Sequence, residues 1–180
     1  MRKFVSICLA LVFAGSLTGC MEDGAAELPP PDVLTQEAIG YYCNMTVQDH
    51  RGPKGQIKLK GESKPLWFSS VRDTITFTRL PGESKNIMAI YVTDMSDDAS
   101  WDNPENSKWI EARSAHFVSG SSRSGGMGAS EQVPFATKED AHKFTQRYGG
   151  HILAYSDIPD SAIFGPVEIS ADPENKDLRK

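Results

Sequence analysis

Two aromatic-and-cap signatures at matching spacing do most to restrict the folds open to this chain. Phe68 stands two residues before Ser70 and nine before Phe77, and Phe135 stands two before Thr137 and nine before Phe144. In each case an Asp follows three residues after the hydroxyl residue (Asp73, Asp140), the arrangement of a helix N-cap. Apolar positions then recur at helical spacing: Val71, Ile75 and Phe77 in the first half, Ala141, Phe144 and Tyr148 in the second. Gly149-Gly150 supplies a stop for the second helix. The first is rich in threonine and a poor helix former on propensity alone.

Strand patterns flank both helices in the same order. Gln56-Ile57-Lys58-Leu59-Lys60 alternates as a half-buried strand does, and after a turn at Gly61 comes Pro65-Leu66-Trp67-Phe68. Residues 87–92 read as a buried closing strand. The second half offers Ala115-His116-Phe117-Val118, Val133-Pro134-Phe135 and, after its helix, Ile152-Leu153-Ala154-Tyr155. The expectation is an α+β fold of two small tandem ββαβ units, residues 37–103 and 104–164, with the junction inside residues 96–104. Chance agreement among short elements is the alternative.

The N-terminus sets the compartment. Arg2 and Lys3 precede an apolar run over residues 4–13, too short to span a bilayer. Leu17-Thr18-Gly19-Cys20 has the form of a bacterial lipobox, in which Cys20 is lipidated and becomes the first mature residue. An ordinary signal peptide with a chance cysteine is the other reading. Loss of residues 1–19 leaves 180 − 19 = 161 residues and, with Arg2 and Lys3 gone, takes the net charge from −5 to −7. Residues 20–36, with Pro29-Pro30-Pro31, read as a flexible lipid-anchored linker. Residues 165–180 read as a loose tail. The expected place is the periplasmic side of a bacterial membrane, with Met21 after the lipidated cysteine leaving the outer membrane open.

Charge and cysteine usage narrow the function. With 19 basic against 24 acidic residues, the chain lacks the surplus of Lys and Arg that nucleic-acid phosphates demand. Of its three cysteines, Cys8 leaves with the signal and Cys20 carries lipid, so Cys43 is the one free thiol. That excludes a disulfide scaffold and a four-cysteine zinc module. An unpaired thiol in an oxidising compartment needs either burial or a task.

Cys43 and Met45 have the spacing for one. On an extended segment both project from one face, and a thiolate with a thioether selects a soft ion such as Cu(I). A buried cysteine packed beside a core methionine is the plainer alternative. Met127, in Gly125-Gly126-Met127-Gly128, offers a third sulfur on a Gly/Ser-rich stretch expected to be mobile. His50, before Gly52-Pro53, can complete such a site, bind a second ion, or simply be a solvated turn histidine. Met95 is a further thioether. No nucleophile elbow, phosphate loop, CxxC or HExxH motif is present. A thiol-dependent enzyme built on Cys43 would need a distant histidine base.

Taken together these stretches resemble the NosL family, accessory lipoproteins of nitrous oxide reductase. The resemblance runs from Tyr42 to about Gly165 and rests on five stretches. These are Tyr42-Cys43-Asn44-Met45, His50-Arg51-Gly52-Pro53-Lys54-Gly55-Gln56, Trp67-Phe68-Ser69-Ser70-Val71-Arg72-Asp73, Ile90-Tyr91-Val92-Thr93-Asp94-Met95 and Gly125-Gly126-Met127-Gly128-Ala129. Asn44 departs from the glycine common in the middle of the triplet. The resemblance implies a non-enzymatic, lipid-anchored Cu(I) chaperone with Cys43 and Met45 as copper ligands, Met127 as the third and His50 as a fourth. It implies delivery to the NosDFY membrane complex for the copper centres of nitrous oxide reductase. A docking lipoprotein without metal delivery is the rival. The fold's likeness to an organomercurial lyase carries little weight, because that chemistry needs a pair of thiols.

Overall fold

A computed structural model describes residues 27–97, 101–104 and 108–166. The signal segment, Cys20, the start of the linker, residues 167–180 of the tail and parts of the expected junction lie outside the described residues. In chain order the elements are β1 (Gly55–Leu59), β2 (Leu66–Phe68), α1 (Val71–Arg79), β3 (Ile87–Thr93) and β4 (Trp109–Glu111). They continue with β5 (His116–Ser124), β6 (Ser130–Phe135), α2 (Lys138–Tyr148), β7 (His151–Ala154) and α3 (Asp160–Phe164).

The strands form two antiparallel sheets, ordered β2-β1-β3-β4 and β6-β5-β7. In each, the first strand of the ββαβ series is central and the other two flank it, so the repeated pattern in the sequence extends to strand connectivity. β4 and α3 were not anticipated. β4 pairs with the far edge of β3, and α3 contacts α1.

Both helices begin at the expected caps. The Asp73 N–H donates to Ser70 Oγ at 3.0 Å and the Asp140 N–H to Thr137 Oγ1 at 3.1 Å. α2 ends where Gly149 takes φ 71°, a conformation that favours glycine. The threonines of α1 are accommodated by the helix itself: the hydroxyls of Thr74 and Thr76 donate to the carbonyls four residues back. Burial of Val71, Ile75 and Phe77 then outweighs their weak propensity.

The core joins the two halves. One cluster combines Ile57, Phe68, Ile75 and Ile90 with Phe117 and Ile163, and α1 packs against β6 of the other sheet as well as its own strands. A second cluster holds Met95, Trp101, Val133, Phe135 and Phe144. Met95 is thus a core residue, 4% exposed, with its sulfur accepting from the Thr93 hydroxyl at 3.7 Å. Trp101 lies in the same cluster, stacked on Phe144, with the Arg123 guanidinium 4.0 Å above its ring.

The later part of the expected linker is bonded to the body. The Pro29 carbonyl accepts from the Tyr91 hydroxyl at 2.7 Å, and Asp32 exchanges backbone hydrogen bonds with the Gln56 amide and pairs with Lys58. Leu34 is buried against Ala38 and Val47. Segment 29–34 is therefore fastened to the first sheet. Among the described residues no helix is long and apolar enough to cross a membrane.

Candidate metal centre

Cys43 sits on a tight turn, not on the extended segment its spacing with Met45 suggested. Ile39 bridges Thr46, the Gly40 N–H donates to the Met45 carbonyl at 2.9 Å, and the Asn44 N–H donates to the Gly40 carbonyl at 2.9 Å. Closing so short a turn puts Asn44 at φ 54°, in the left-handed region that Gly and Asn enter most readily. Strand alternation therefore does not orient the two sulfurs. Met45 is 41% exposed, whereas Cys43 is half-buried with its sulfur 3.2 Å from the Ser69 hydroxyl.

Aromatic packing fastens this turn to the first unit. The Tyr41 N–H donates to the Trp67 carbonyl at 2.7 Å, at the edge of β2. The Tyr41 ring meets Phe77 edge-on at 5.4 Å, and Tyr42 meets Phe68 at 5.7 Å. Both tyrosine hydroxyls donate to Glu83, at 3.2 and 2.8 Å. Ser69 immediately precedes the α1 cap, so the sulfur of Cys43 stands at the N-terminal end of α1.

Met127 comes to the same end of α1 from the other half. It crowns the turn between β5 and β6, closed by hydrogen bonds from the Gly125 N–H to the Ala129 carbonyl and from the Gly128 N–H to the Gly125 carbonyl, both 2.8 Å. Much of the Gly/Ser-rich stretch is strand: β5 runs to Ser124, and Arg123, Ser124 and Gly125 are buried. Met127 itself is 49% exposed and lines a cleft of about 260 Å³ with Ser70, Asp73, Glu131 and Phe164. Gly126 lies hard against the 50–51 backbone. A Cβ there would fall 2.7 Å from the Arg51 carbonyl oxygen and 2.8 Å from His50 Cβ.

His50 is accordingly beside the Met127 turn. Its Nε2 is buried with no hydrogen-bond partner among the described residues. Burial first, and the nearby Lys54 charge second, lower its pKa against an opposing pull from Asp49. The neutral ring favoured by these effects keeps a nitrogen lone pair available to a metal. Among the described residues no three His, Cys, Asp or Glu side chains are grouped to hold a metal ion. A metal held here would draw on thioether sulfur.

Two buried charges brace the site. Glu131 accepts from the N–H of Arg72, in the first turn of α1, at 2.9 Å and from the Gln132 N–H at 2.8 Å. Lys54, fully buried, donates to the carbonyls of Arg51 at 2.9 Å and Gly52 at 2.6 Å. Burial pushes the Glu131 carboxyl up to about 7, offset first by the Gln132 and Arg72 N–H groups and least by the Lys54 charge, and burial brings Lys54 down to about 7 against the pull of Glu131. One brace ties β6 to α1, and the other holds the loop after His50.

The family model described as NosL matches residues 31–163. The chain belongs to the NosL family. It is 43% identical over 176 residues to the copper-binding lipoprotein NosL of Achromobacter cycloclastes, covering 97% of this chain and 89% of that one. It is 31% identical over 157 residues to the protein of the same name from Stutzerimonas stutzeri, covering 86% and 80%. The crystal structure of the copper chaperone NosL from Shewanella denitrificans superposes with a TM-score of 0.66 at 30% identity, covering 74% of this chain and 99% of that one.

Within this NosL member, the structure accounts for Asn44 in place of glycine: the position needs a positive φ, which asparagine tolerates. It also places residues that sequence reasoning passed over as site components. Ser69 and Gly40 flank the Cys43 sulfur, and Lys54 and Glu131 brace the loops. The paired glycines 125 and 126 did mark a close approach, but nothing in the sequence said to what.

Proposed function

We propose that this protein carries Cu(I) in the bacterial periplasm and delivers it, through the NosDFY membrane complex, for assembly of the copper centres of nitrous oxide reductase. Cys43 is the thiolate ligand. Met45 and Met127 contribute thioethers, and His50 contributes its neutral ring, either to the same ion or to a second one. Lipid on Cys20 anchors the chain. The observation that carries the reading is that the Cys43 sulfur, beside Ser69, and the Met127 side chain, beside Ser70, both lie at the N-terminal end of α1, with the His50 loop packed on the Met127 turn, in a member of a family with copper-binding relatives.

The donor set suits transfer. Thioether is a soft donor that zinc takes poorly, so a thiolate joined by thioethers favours Cu(I). A site of two or three sulfurs is coordinatively unsaturated, so a ligand of the receiving protein adds before a donor ligand leaves. No free ion need form. Anchoring donor and recipient at one membrane raises their effective concentration. The net charge of −5 on the full chain suits a recipient with a basic docking face.

Anaerobic titration with Cu(I) against a chromogenic chelator tests the ligand assignment. Cys43→Ser is expected to lower affinity by roughly a hundredfold or more, beyond the range of second-sphere changes. Met127→Ala should lower it by a smaller factor. Wild-type affinity in Cys43→Ser would refute a thiolate-centred site. Copper transfer from the loaded protein to the membrane complex, compared with free Cu(I) at equal concentration, tests delivery.

A further inference from the structure

Two serines in tandem precede α1, and they do different things. Ser70 is the helix cap, its Oγ taken by the Asp73 N–H at 3.0 Å. Ser69 is 2% exposed, and its hydroxyl lies 3.2 Å from Cys43 Sγ. Its role is therefore not helix capping.

The space around this contact is reserved by glycine. A Cβ on Gly40 would lie 2.5 Å from Cys43 Sγ and 3.0 Å from Ser69 Oγ, closer than real side-chain contacts allow. Gly40 cannot back away, because its N–H is bonded to the Met45 carbonyl and it bridges Trp67. Residues 40, 43 and 69 thus form a niche that fits one sulfur and one hydroxyl.

We propose that Ser69 is a positioning residue for copper: its hydroxyl donates to the Cys43 sulfur and holds it in the orientation that takes and releases Cu(I). The inference rests on Cys43 being the thiolate ligand. A metal-bound thiolate has no proton to give, so the hydroxyl of Ser69 must be the donor. That bond occupies one sulfur lone pair, directs the metal to the others and limits rotation about the cysteine χ1. Partners of this kind orient metal ligands, and their loss typically costs about 10–100-fold in affinity.

The test uses the mature chain, loaded anaerobically with Cu(I) and challenged with bathocuproine disulfonate. Ser69→Ala is expected to lose about 10–100-fold in Cu(I) affinity and to shift the near-ultraviolet thiolate-to-copper absorption. Its urea midpoint should stay close to wild type. Gly40→Ala, which intrudes on the same contact without removing either group, should shift the band similarly. A folded Ser69→Ala protein with wild-type affinity and an unshifted band overturns the proposal. If the alanine variant does not fold, Gly40→Ala decides: a shifted band with weakened Cu(I) binding supports the role, and a wild-type band with wild-type affinity overturns it. Cys43→Ser separates the two readings. If that variant keeps wild-type affinity, the thiolate site itself fails. If it loses copper while Ser69→Ala does not, only the role of Ser69 fails.

Discussion

Replacing Gly126 with alanine tests how firmly the Met127 turn is held against the His50 loop. The added Cβ would lie 2.7 Å from the Arg51 carbonyl oxygen, 2.8 Å from the Arg51 nitrogen and 2.8 Å from His50 Cβ. Comfortable contact between carbon atoms begins at about 3.5 Å, so the neighbours must yield by several tenths of an ångström. Two of the three are backbone atoms that no rotamer change can move. They are also anchored, since Lys54 Nζ donates to the Arg51 carbonyl and the Gly52 N–H donates to the Trp101 carbonyl at 2.7 Å. Gly126 has no positive φ, so the cost is steric rather than conformational. Overpacking of this kind costs about 1–3 kcal/mol. Gly82 is the control: it too lacks a positive φ, and among the described residues nothing lies within 4 Å of its would-be Cβ. Alanine at Gly82 should be neutral or stabilising by about 0.4–1 kcal/mol, through a less flexible unfolded chain. Urea unfolding of the three proteins measures both effects. Gly126→Ala within about 0.5 kcal/mol of wild type would refute the packing of this turn on the loop. Cu(I) affinity measured on the same samples should fall for Gly126→Ala and hold for Gly82→Ala.

Other perturbations have equally definite directions. Lys54→Met removes the donor to the Arg51 and Gly52 carbonyls and a cation whose charge acts on Glu131, and urea titration should show a loss of about 2–3 kcal/mol. The raised Glu131 pKa favours the folded state in acid: its contribution is complete below the ordinary value of 4.5 and is lost as pH rises through about 7. The stability of wild type relative to Glu131→Gln should therefore be greater at about pH 5 than at about pH 7.5, as read from paired urea midpoints, and an unchanged difference would contradict the burial of that charge. Thr137→Ala removes the acceptor for the Asp140 N–H and should cost about 1 kcal/mol in thermal or urea unfolding without changing Cu(I) affinity.

The expected α+β order is present in the fold, and its traces were local. Ser70 and Thr137 cap helices because a short hydroxyl beside an open first turn satisfies a backbone N–H whatever surrounds it. Period-two and helical apolar spacing mark strands and helices for the same local reason. The edge strand β4 escaped notice because it has no counterpart in the other sheet, and its identity comes from pairing with β3. Met95 illustrates the limit for single side chains, since a thioether after a strand reads alike as ligand or core until the second sheet covers it.

Sequence alone determined the sulfur chemistry on offer: Cys43 as the one cysteine after Cys20, and a methionine, Met127, set among turn residues. It also determined the two helices and the family likeness. Tertiary structure decided the rest, because the relevant contacts join residues far apart along the chain. The Cys43 turn is set by Gly40 and Ser69, the Met127 turn by the backbone at His50, and the seam between halves by Glu131 on the first turn of α1. Extended geometry at Cys43 was the natural reading of a Cys-x-Met spacing. It gave way because a hairpin closing through Gly40 and Met45 places Asn44 at positive φ, and strand alternation fails at such a turn.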